Sequence, residues 1–264
     1  MKIKKLLTSA ALVCFAAQLS AGTGKLAVDE VVRKANNAAY YGGDDGRSAV
    51  RMTIKDKLGR VREREFTILR KDESDGGKQY FYVYFRKPSD VRKMVFIVWK
   101  NIDKGDDRWL YLPALDLVKR IAASDKRTSF AGSDYMYEDV SGRGLGEDSH
   151  ELLEGTDTRY IINNRPKDAD AVEFSSYKVW IDKQNFVPMK TEYLDKSGEL
   201  YRTVEALSVE NIDDIPTVVK ARVTNHISGS VTSLEFKNIK YNIGLKKSVF
   251  TERYLRRPPR EARK

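Results

Sequence analysis

The segment RTSFAGSDYMYEDV, residues 127–140, gathers carboxylate and aromatic side chains around a single glycine. A pair of carboxylates can act as general acid and base in glycoside hydrolysis, and oxygen ligands at alternate positions around a glycine form calcium loops. Asp134, Glu138 and Asp139 lack the calcium spacing. A carboxylate pair stays open, because its second member can come from anywhere in the chain. An exported hydrolase that uses Asp134 or Glu138 is therefore one alternative.

A packing role fits the same segment better. Asp134 precedes a short helical turn, DYMYED, where an aspartate commonly caps the helix start, and acids in a first turn suit the helix dipole. The aromatic residues Phe130, Tyr135 and Tyr137 would then pack onto the open face of a sheet. We therefore interpret residues 127–140 as a cover rather than a reaction centre.

Other patterns that carry chemistry are weak. His150 and His226 stand apart from any metal-binding spacing, and the chain has no GxSxG motif for a serine hydrolase. Cys14, the only cysteine, lies in the N-terminal apolar run. The glycines of SGRGLGED, residues 141–148, lack the strand and helix that frame a phosphate-binding loop. The sequence thus predicts no catalytic residue, no metal site and no cofactor.

The N-terminal segment MKIKKLLTSAALVCFAAQLSAG, residues 1–22, has the pattern of a secretory signal peptide. Lys2, Lys4 and Lys5 precede an apolar run, and small residues follow it. The run is shorter than the ~20 residues that span a bilayer. Val13 precedes Cys14 where a lipid-attachment signal requires a small residue. We therefore expect removal of this segment and export of a mature chain that has neither a lipid anchor nor a cysteine.

The exported chain is expected to be basic. Its net charge of +10 falls by three, to +7, because the signal segment holds three lysines and no acid. A moderate positive charge suits an anionic membrane surface or acidic partners, and export argues against nucleic acid. A basic surface that serves only solubility is the alternative.

The spacing of apolar residues predicts one helix followed by strands. The segment KLAVDEVVRKANNAAYY, residues 25–41, has the pattern of an amphipathic helix that ends at Gly42 and Gly43. From residue 47 the period changes to two, and Val50, Met52 and Ile54 lead through a DKLGR turn into a second strand. Further strand–turn–strand units follow, which predicts a mainly β antiparallel meander of about ten or eleven strands.

A sheet of this size either closes into a barrel or leaves a concave face to be filled. The strand QYFYVYF, residues 79–85, is apolar on both faces, so both faces need a cover. We assign the N-terminal helix to one face and a lid, residues 113–145, to the other. No Pro, Gly or Ser linker divides residues 23–250, which we predict to be one domain. Residues 251–264 are predicted to be a frayed basic tail.

The run DRWLYLPALDLVKRIAASDKRTSFAGSDYMYEDV, residues 107–140, resembles the outer-membrane lipoprotein-sorting protein family of the LolA-like fold. The resemblance includes the D-R-x-x-Y-L-P start, the pair Lys119 and Arg120, and S-F-x-G-S-D-x-x-Y-E-D over residues 129–139. KPSDVRKMVFIVW before this run and VWIDKQNFVPMKTEYLDKSGEL after it extend the resemblance over most of the mature chain.

The resemblance implies a half-open antiparallel β-barrel whose N-terminal helix and lid cover an apolar cavity for acyl chains. It implies a periplasmic protein of outer membrane biogenesis that catalyses no reaction, and an inner-membrane transporter of the resistance-nodulation-division (RND) type as a partner. Residues 127–140 correspond to the lid or rim, with aromatic side chains inward and acids outward. The general lipoprotein carrier holds its lid with an arginine on an early strand, a role left open here among Arg47, Arg51 and Arg60.

We therefore expect a periplasmic carrier or chaperone that binds the acyl chains of a lipid or lipoprotein within a LolA-like lipid-binding domain over residues 23–250. A periplasmic lipid sensor or adaptor for an inner-membrane transporter is the main alternative. The cavity lining is assigned to inward strand positions and lid aromatics, namely Met52, Ile54, Phe66, Ile68, Phe81, Phe85, Ile97, Trp99, Trp109, Tyr111, Phe130, Tyr135, Tyr137, Val179 and Met189.

Overall fold

The computed structural model describes residues 26–263. The predicted signal peptide, residues 1–22 with Cys14, lies outside the described residues. Helix α1 (Val28–Tyr40) comes first, as predicted. The described residues then form thirteen antiparallel strands: β1 (Asp45–Lys55), β2 (Val61–Asp72), β3 (Gln79–Lys87), β4 (Val95–Lys100), β5 (Asp107–Leu112), β6 (Leu117–Arg120), β7 (Asp148–Leu152), β8 (Arg159–Pro166), β9 (Phe174–Asp182), β10 (Pro188–Asp195), β11 (Leu200–Ile212), β12 (Ile215–Asn225) and β13 (Ser230–Tyr241). No helix in this range is both long and apolar enough to cross a bilayer.

The strands form one sheet that is open along a single seam. Each strand pairs with the next one in the chain except at β6 and β7, and β1 also pairs with β13. The order therefore runs from β6 through β1 and β13 to β7. The edges β6 and β7 are therefore consecutive in the chain but unpaired with each other. This confirms the predicted half-open barrel. The prediction of ten or eleven strands was too low, and the missed strand β7, DSHEL, has one large apolar residue and so shows little alternation.

The first hairpin shows how alternation sets the two faces of the sheet. On β1, Val50, Met52 and Ile54 are buried on one face, whereas Arg51 and Lys55 are exposed on the other. β2 pairs with β1 along its whole length through the predicted turn. We call the face that bears Val50 the inner face and the opposite one the outer face.

Two covers lie on the inner face. The lid, residues 121–147, connects β6 to β7 and packs on the inner face near β1–β5, while α1 contacts β7, β8, β10 and β12. This agrees with the implied helix and lid that together cover a cavity, whereas the assignment of α1 and the lid to opposite faces was wrong. A helix of 13 residues is about 20 Å long and spans only part of so wide a sheet, so the inner face needs both. Residues 113–120, placed in the lid by the sequence, form a 3₁₀ turn and β6.

The outer face is covered by the C-terminal segment, residues 245–263. Phe250, Leu255 and Ala262 are almost completely buried against this face. Trp99 Nε1 donates a hydrogen bond of 2.6 Å to the Phe250 carbonyl, and the Tyr82 hydroxyl donates to another carbonyl of the segment. The expected frayed tail is thus a packed element, with α2 (Arg253–Arg256) and α3 (Arg260–Arg263). Its few apolar residues are widely spaced among arginines, which hid this role in the sequence.

Leu255→Ala is expected to lower the free energy of unfolding by about 2–4 kcal/mol, because it opens a cavity beneath the C-terminal segment. Leu58→Ala, at a residue that is 70% exposed, is the matched control and should change it by less than about 0.5 kcal/mol. Chemical denaturation measures both. Equal stability of the two variants would show that the C-terminal segment does not depend on this contact.

Candidate functional site: the cavity beneath helix α1

A cavity of about 500 Å³ lies between α1, the lid and the inner face of the sheet. Sites for small molecules in proteins commonly occupy ~300–1,000 Å³. Val32, Ala35 and Ala39 line it from α1, and their small side chains leave space that larger residues would fill. Strands β11–β13 contribute further apolar side chains. This cavity is the candidate site.

Part of the predicted site set lines this cavity. These residues come from β1, β2, β3, the lid and β9, where the alternation of apolar and polar residues indicated the correct face. They are Met52, Phe66, Ile68, Phe81, Phe130, Tyr135 and Val179.

A second part of the set lies on the inner face but forms solid core. The ring of Phe130, from the lid, lies 5.7 Å from Phe85 and 5.5 Å from Phe96, and Tyr137 lies 5.0 Å from Phe96. Ile54 belongs to the same cluster. The lid therefore fills this end of the inner face with its own aromatic side chains, and Ile54, Phe85 and Tyr137 lie outside the cavity lining.

The third part of the predicted site set was assigned to the wrong face of the sheet. Ile97, Trp99, Trp109 and Tyr111 pack on the outer face with the C-terminal segment. Ile97 pairs across the sheet with Tyr82, which also points outward. The strand VFIVW is apolar throughout, so its sequence carries no alternation from which the inward residues could be read.

Several cavity residues were missed, and one further predicted residue, Met189, lies outside the lining. The register of β10 shifts at this residue, between Pro188 and Lys190. Leu234 and Phe236 of β13 line the cavity and alternate as expected of a strand, a signal that was present in the sequence. The cavity residues of α1 belong to the apolar stripe that the sequence pattern of this helix predicts. Only the fold shows that this stripe leaves a gap above the sheet.

The lid is tied to the sheet at its central turn. The Asp134 carboxylate accepts hydrogen bonds from the hydroxyls of Ser230 and Thr232 on β13, and Arg62 on β2 donates to the Gly132 carbonyl at 3.0 Å. Asp134 was predicted to cap a helical turn. The 3₁₀ turn Glu138–Val140 instead begins after Tyr137 and has no side-chain cap. Asp134 is therefore a tether between the lid and the sheet.

The candidate arginines of the early strands have other roles. Arg51 pairs with Glu65, and Arg60 pairs with Asp56 in the β1–β2 turn. Arg47 donates to the Glu261 carbonyl of the C-terminal segment. Arg62, which does contact the lid, lies on β2, whereas the candidates lie on β1 or in the β1–β2 turn.

The lid also carries a buried carboxylate. Glu138 is 2% exposed and lies 3.0 Å from Lys126, 2.9 Å from Arg127 and 3.3 Å from Arg143. Burial acts to raise the pKa of Glu138, but attraction to Arg127, Lys126 and Arg143 outweighs it, so the pKa lies below its ordinary value. The expectation that the acids face outward was wrong for Glu138, because these cations compensate the loss of water.

Further ion pairs join the lid to residues on the far side of the seam. They are Arg127–Glu173, Arg143–Asp148 and Arg202–Asp139, whereas Lys126–Glu147 lies within the lid. Arg202, on β11, is 2% exposed, and the Tyr177 hydroxyl donates to Asp148 at 2.6 Å. The network fixes the lid against β7, β9 and β11.

One edge of the cavity is formed by hydroxyl groups. Tyr40, Tyr135 and Tyr177 line it beside the lid network. Burial raises the pKa of each of these tyrosines, so their hydroxyls remain protonated and act as hydrogen-bond donors. The cavity thus combines an apolar wall with a polar edge.

The two lid carboxylates considered for catalysis, Asp134 and Glu138, do not suit acid–base chemistry. Glu138 is held in its ionised form by cations, and Asp134 is occupied by two hydroxyls. The ring nitrogens of His150 contact Asn164 Oδ1 and the Leu145 carbonyl. Within residues 26–263, no group of three or more His, Cys, Asp or Glu side chains is placed to hold a metal.

Glu138→Gln is expected to lower the free energy of unfolding by about 3 kcal/mol or more, because it leaves Lys126, Arg127 and Arg143 without a central anion. The same substitution at the exposed Glu63 is the control and should have little effect. Urea denaturation at neutral pH compares them. A loss no greater than that of Glu63→Gln would contradict the assigned role of Glu138.

The contribution of Glu138 should also depend on pH. Because its pKa is depressed in the folded state, its stabilisation is present above the ordinary value of 4.5 and is lost as the pH falls through the lower, folded-state pKa. The difference in unfolding free energy between wild type and Glu138→Gln should therefore stay constant from about pH 7 to 5 and shrink below about pH 4. A difference that does not change over this range would contradict the depressed pKa.

Known structures share this architecture. The chain is similar to a domain of Vibrio parahaemolyticus assigned as an outer membrane lipoprotein-sorting protein, with 26% identity, a TM-score of 0.79 and coverage of 87% of this chain and 98% of that chain. A LolA superfamily protein of Nitrosomonas europaea is similar at 19% identity, with a TM-score of 0.67 over 87% and 100% of the two chains. These structures confirm the LolA-like fold that the sequence motifs predicted.

Sequence relatives establish the family. Residues 77–257 match a family model described as an uncharacterized protein. A DUF1329 family protein from Desulfovibrio piger is 30% identical, with a TM-score of 0.78 and coverage of 86% of this chain and 97% of that chain. No curated protein matches the chain. This chain therefore belongs to the DUF1329 family and has a LolA-like fold.

Proposed function

We propose that this protein is a periplasmic carrier that binds the acyl chains of a lipid or lipoprotein and transfers them between membranes or to a transporter. The observation that carries the proposal is the cavity of about 500 Å³ between α1, the lid and the inner face. Its size and its apolar walls suit an acyl chain better than a polar substrate.

The walls offer the contacts that an acyl chain needs. Met52, Phe66, Ile68 and Phe81 present apolar surface from the sheet, and Val179 does so from β9. Removal of each methylene from water contributes ~0.8 kcal/mol, which makes a long chain a favourable ligand without any specific polar contact. The Tyr40 and Tyr135 hydroxyls at the cavity edge can donate to the oxygens of a head group, whereas the Tyr177 hydroxyl already donates to Asp148.

Relatives and the N-terminal sequence support the compartment and the cargo class. The Vibrio parahaemolyticus relative is assigned to lipoprotein sorting, and the Nitrosomonas europaea protein belongs to the LolA superfamily. The signal-peptide pattern of residues 1–22 supports export to the periplasm. These features support a carrier role in outer membrane biogenesis.

Two partners follow from this role. An inner-membrane transporter of the RND type would supply or receive the cargo, as the sequence resemblance implies. An anionic membrane surface suits the net charge of +7 expected after removal of the signal peptide, and the exposed side chains of Arg253, Arg257, Arg260 and Arg263.

Protein purified from periplasm without detergent is expected to contain an acylated species in about one-to-one ratio, because burial of the chain makes its release into water costly. Mass spectrometry of the organic extract, beside a mock purification from cells that lack the protein, measures this. An extract equal to the mock would contradict the carrier function and favour an adaptor that acts through its surface.

Ala39→Trp is expected to reduce the bound lipid about tenfold, equivalent to about 1.4 kcal/mol, because the indole would occupy the cavity. Ala39 lines the cavity but is exposed, so the larger side chain does not overpack the core. Ala171→Trp, at an exposed turn residue outside the lining, is the matched control. Unchanged lipid content in Ala39→Trp would place the cargo elsewhere.

A further inference from the structure

Two neighbouring hairpin turns at one end of the sheet are built alike. In the β1–β2 turn, Asp56 Oδ1 accepts hydrogen bonds from the backbone of Leu58 and Arg60 at 2.9 and 3.0 Å. In the β12–β13 turn, Asn225 Oδ1 accepts from the backbone of Ile227 and Ser228 at 3.1 and 3.0 Å. Each turn thus satisfies its own amide groups and presents one large apolar side chain near its tip.

These apolar side chains are exposed on turns that touch each other. Leu58 is 70% exposed and Ile227 is 76% exposed. The two turns touch, since a Cβ at Gly229 would lie 3.3 Å from Lys57 Cβ. Val61, at the start of β2, is 56% exposed and extends the patch. Exposed apolar groups that cluster at a tip commonly mark an interaction surface.

The surroundings of the patch are basic. Lys55, Lys57, Arg60 and Arg62 are exposed beside it. Asp56 is bound within the turn by Arg60. Lys55, Lys57 and Arg62 outnumber the nearby carboxylates of Glu63 and Asp134, so the local charge is positive. Basic side chains around an apolar tip match the anionic head groups and the acyl region of a bilayer.

The opposite end of the sheet provides a contrast. Ile102, in the β4–β5 turn, is 68% exposed and so is as accessible as Leu58. In the surrounding sequence NIDKGDD, Asp106 pairs with Arg108, and Asp107 pairs with Lys104 and Arg120. The cations beside Ile102 are thus held by carboxylates, so the charge pattern distinguishes two equally exposed apolar residues.

The patch adjoins the lid. Arg62, next to Val61, donates to the Gly132 carbonyl of the lid, and Ser230, next to Gly229, donates to the Asp134 carboxylate. The two turns therefore lie beside the residues that tether the lid to the sheet.

From these observations we infer that the paired tips of the β1–β2 and β12–β13 turns dock the protein on an anionic phospholipid bilayer, with Leu58 and Ile227 inserted between the head groups. The inference rests on the proposed carrier function for its purpose and names the surface that contacts the membrane. Because the turn amides are already hydrogen-bonded, insertion leaves few backbone donors without partners.

Vesicle sedimentation with the mature full chain tests this surface. Wild type should bind vesicles that contain phosphatidylglycerol and should bind pure phosphatidylcholine weakly. Leu58→Ser combined with Ile227→Ser should weaken binding to the anionic vesicles by about tenfold or more, whereas Ile102→Ser should leave it unchanged. Lys55→Gln combined with Lys57→Gln should reduce binding to anionic vesicles only.

A labelled cysteine reports insertion directly. Because Cys14 lies in the predicted signal peptide, Leu58→Cys would supply a single site for an environment-sensitive dye. Its emission should shift to the blue with anionic vesicles, and the same dye at Ile102→Cys should not respond. Absence of both binding and shift in wild type, or equal binding by the Leu58/Ile227 double variant, would overturn the inference. Crosslinking of the tips to a protein without any vesicle binding would also overturn it.

The experiments can contradict the carrier function and the docking surface independently of each other. Ala39→Trp should lose bound lipid but sediment with anionic vesicles like wild type. Vesicle binding with an empty lipid extract would contradict the carrier function alone. Bound lipid without vesicle binding would contradict the docking surface alone.

Discussion

The open seam between β6 and β7 is the constraint on which the rest of the structure depends. These strands are consecutive in the chain yet form opposite edges of a thirteen-stranded sheet. The connection between them must therefore cross the inner face, and residues 121–147 do so with little regular secondary structure. A segment of this kind needs side chains to hold it, since few of its backbone groups join a ladder. Phe130 and Glu138 anchor its middle part.

The anchors are of different physical types and divide the inner face. Phe130 packs among the rings of Phe66, Phe85 and Phe96, which makes one end of the face a dry core. Glu138 lies among cations that also pair with Glu147 of the lid and with Asp148 and Glu173 on the far side of the seam. Burial of an ion costs free energy unless its partners are held close to it in a defined geometry. This network therefore favours a single position of the lid. The cavity lies between the dry core and α1.

The outer face shows why aromatic strands need not indicate a binding surface. β3, β4 and β5 carry aromatic or aliphatic residues on both faces, and the outer set is buried by the C-terminal segment. Trp99 and Tyr82 bond to carbonyls of that segment, which places polar atoms of large side chains in the core without loss of hydrogen bonds. The basic residues of the segment remain at the surface.

Local patterns in the sequence determined the helix α1, the alternation of β1 and β2, the hairpin meander and the class of the fold, because periods of 3.6 and 2 depend only on neighbouring residues. They also indicated Met52, Phe66, Ile68 and Phe81 as inward-facing. Only the tertiary structure decided the rest. VFIVW has no alternation, so the face of Ile97 depends on which segment covers it. The burial of Glu138 depends on Lys126, Arg127 and Arg143, which the fold of the lid brings around it. The C-terminal segment packs on the outer face of the sheet, and local sequence does not show that this face needs a cover. Long-range contacts, and not helix propensity, bury Leu255 and Ala262.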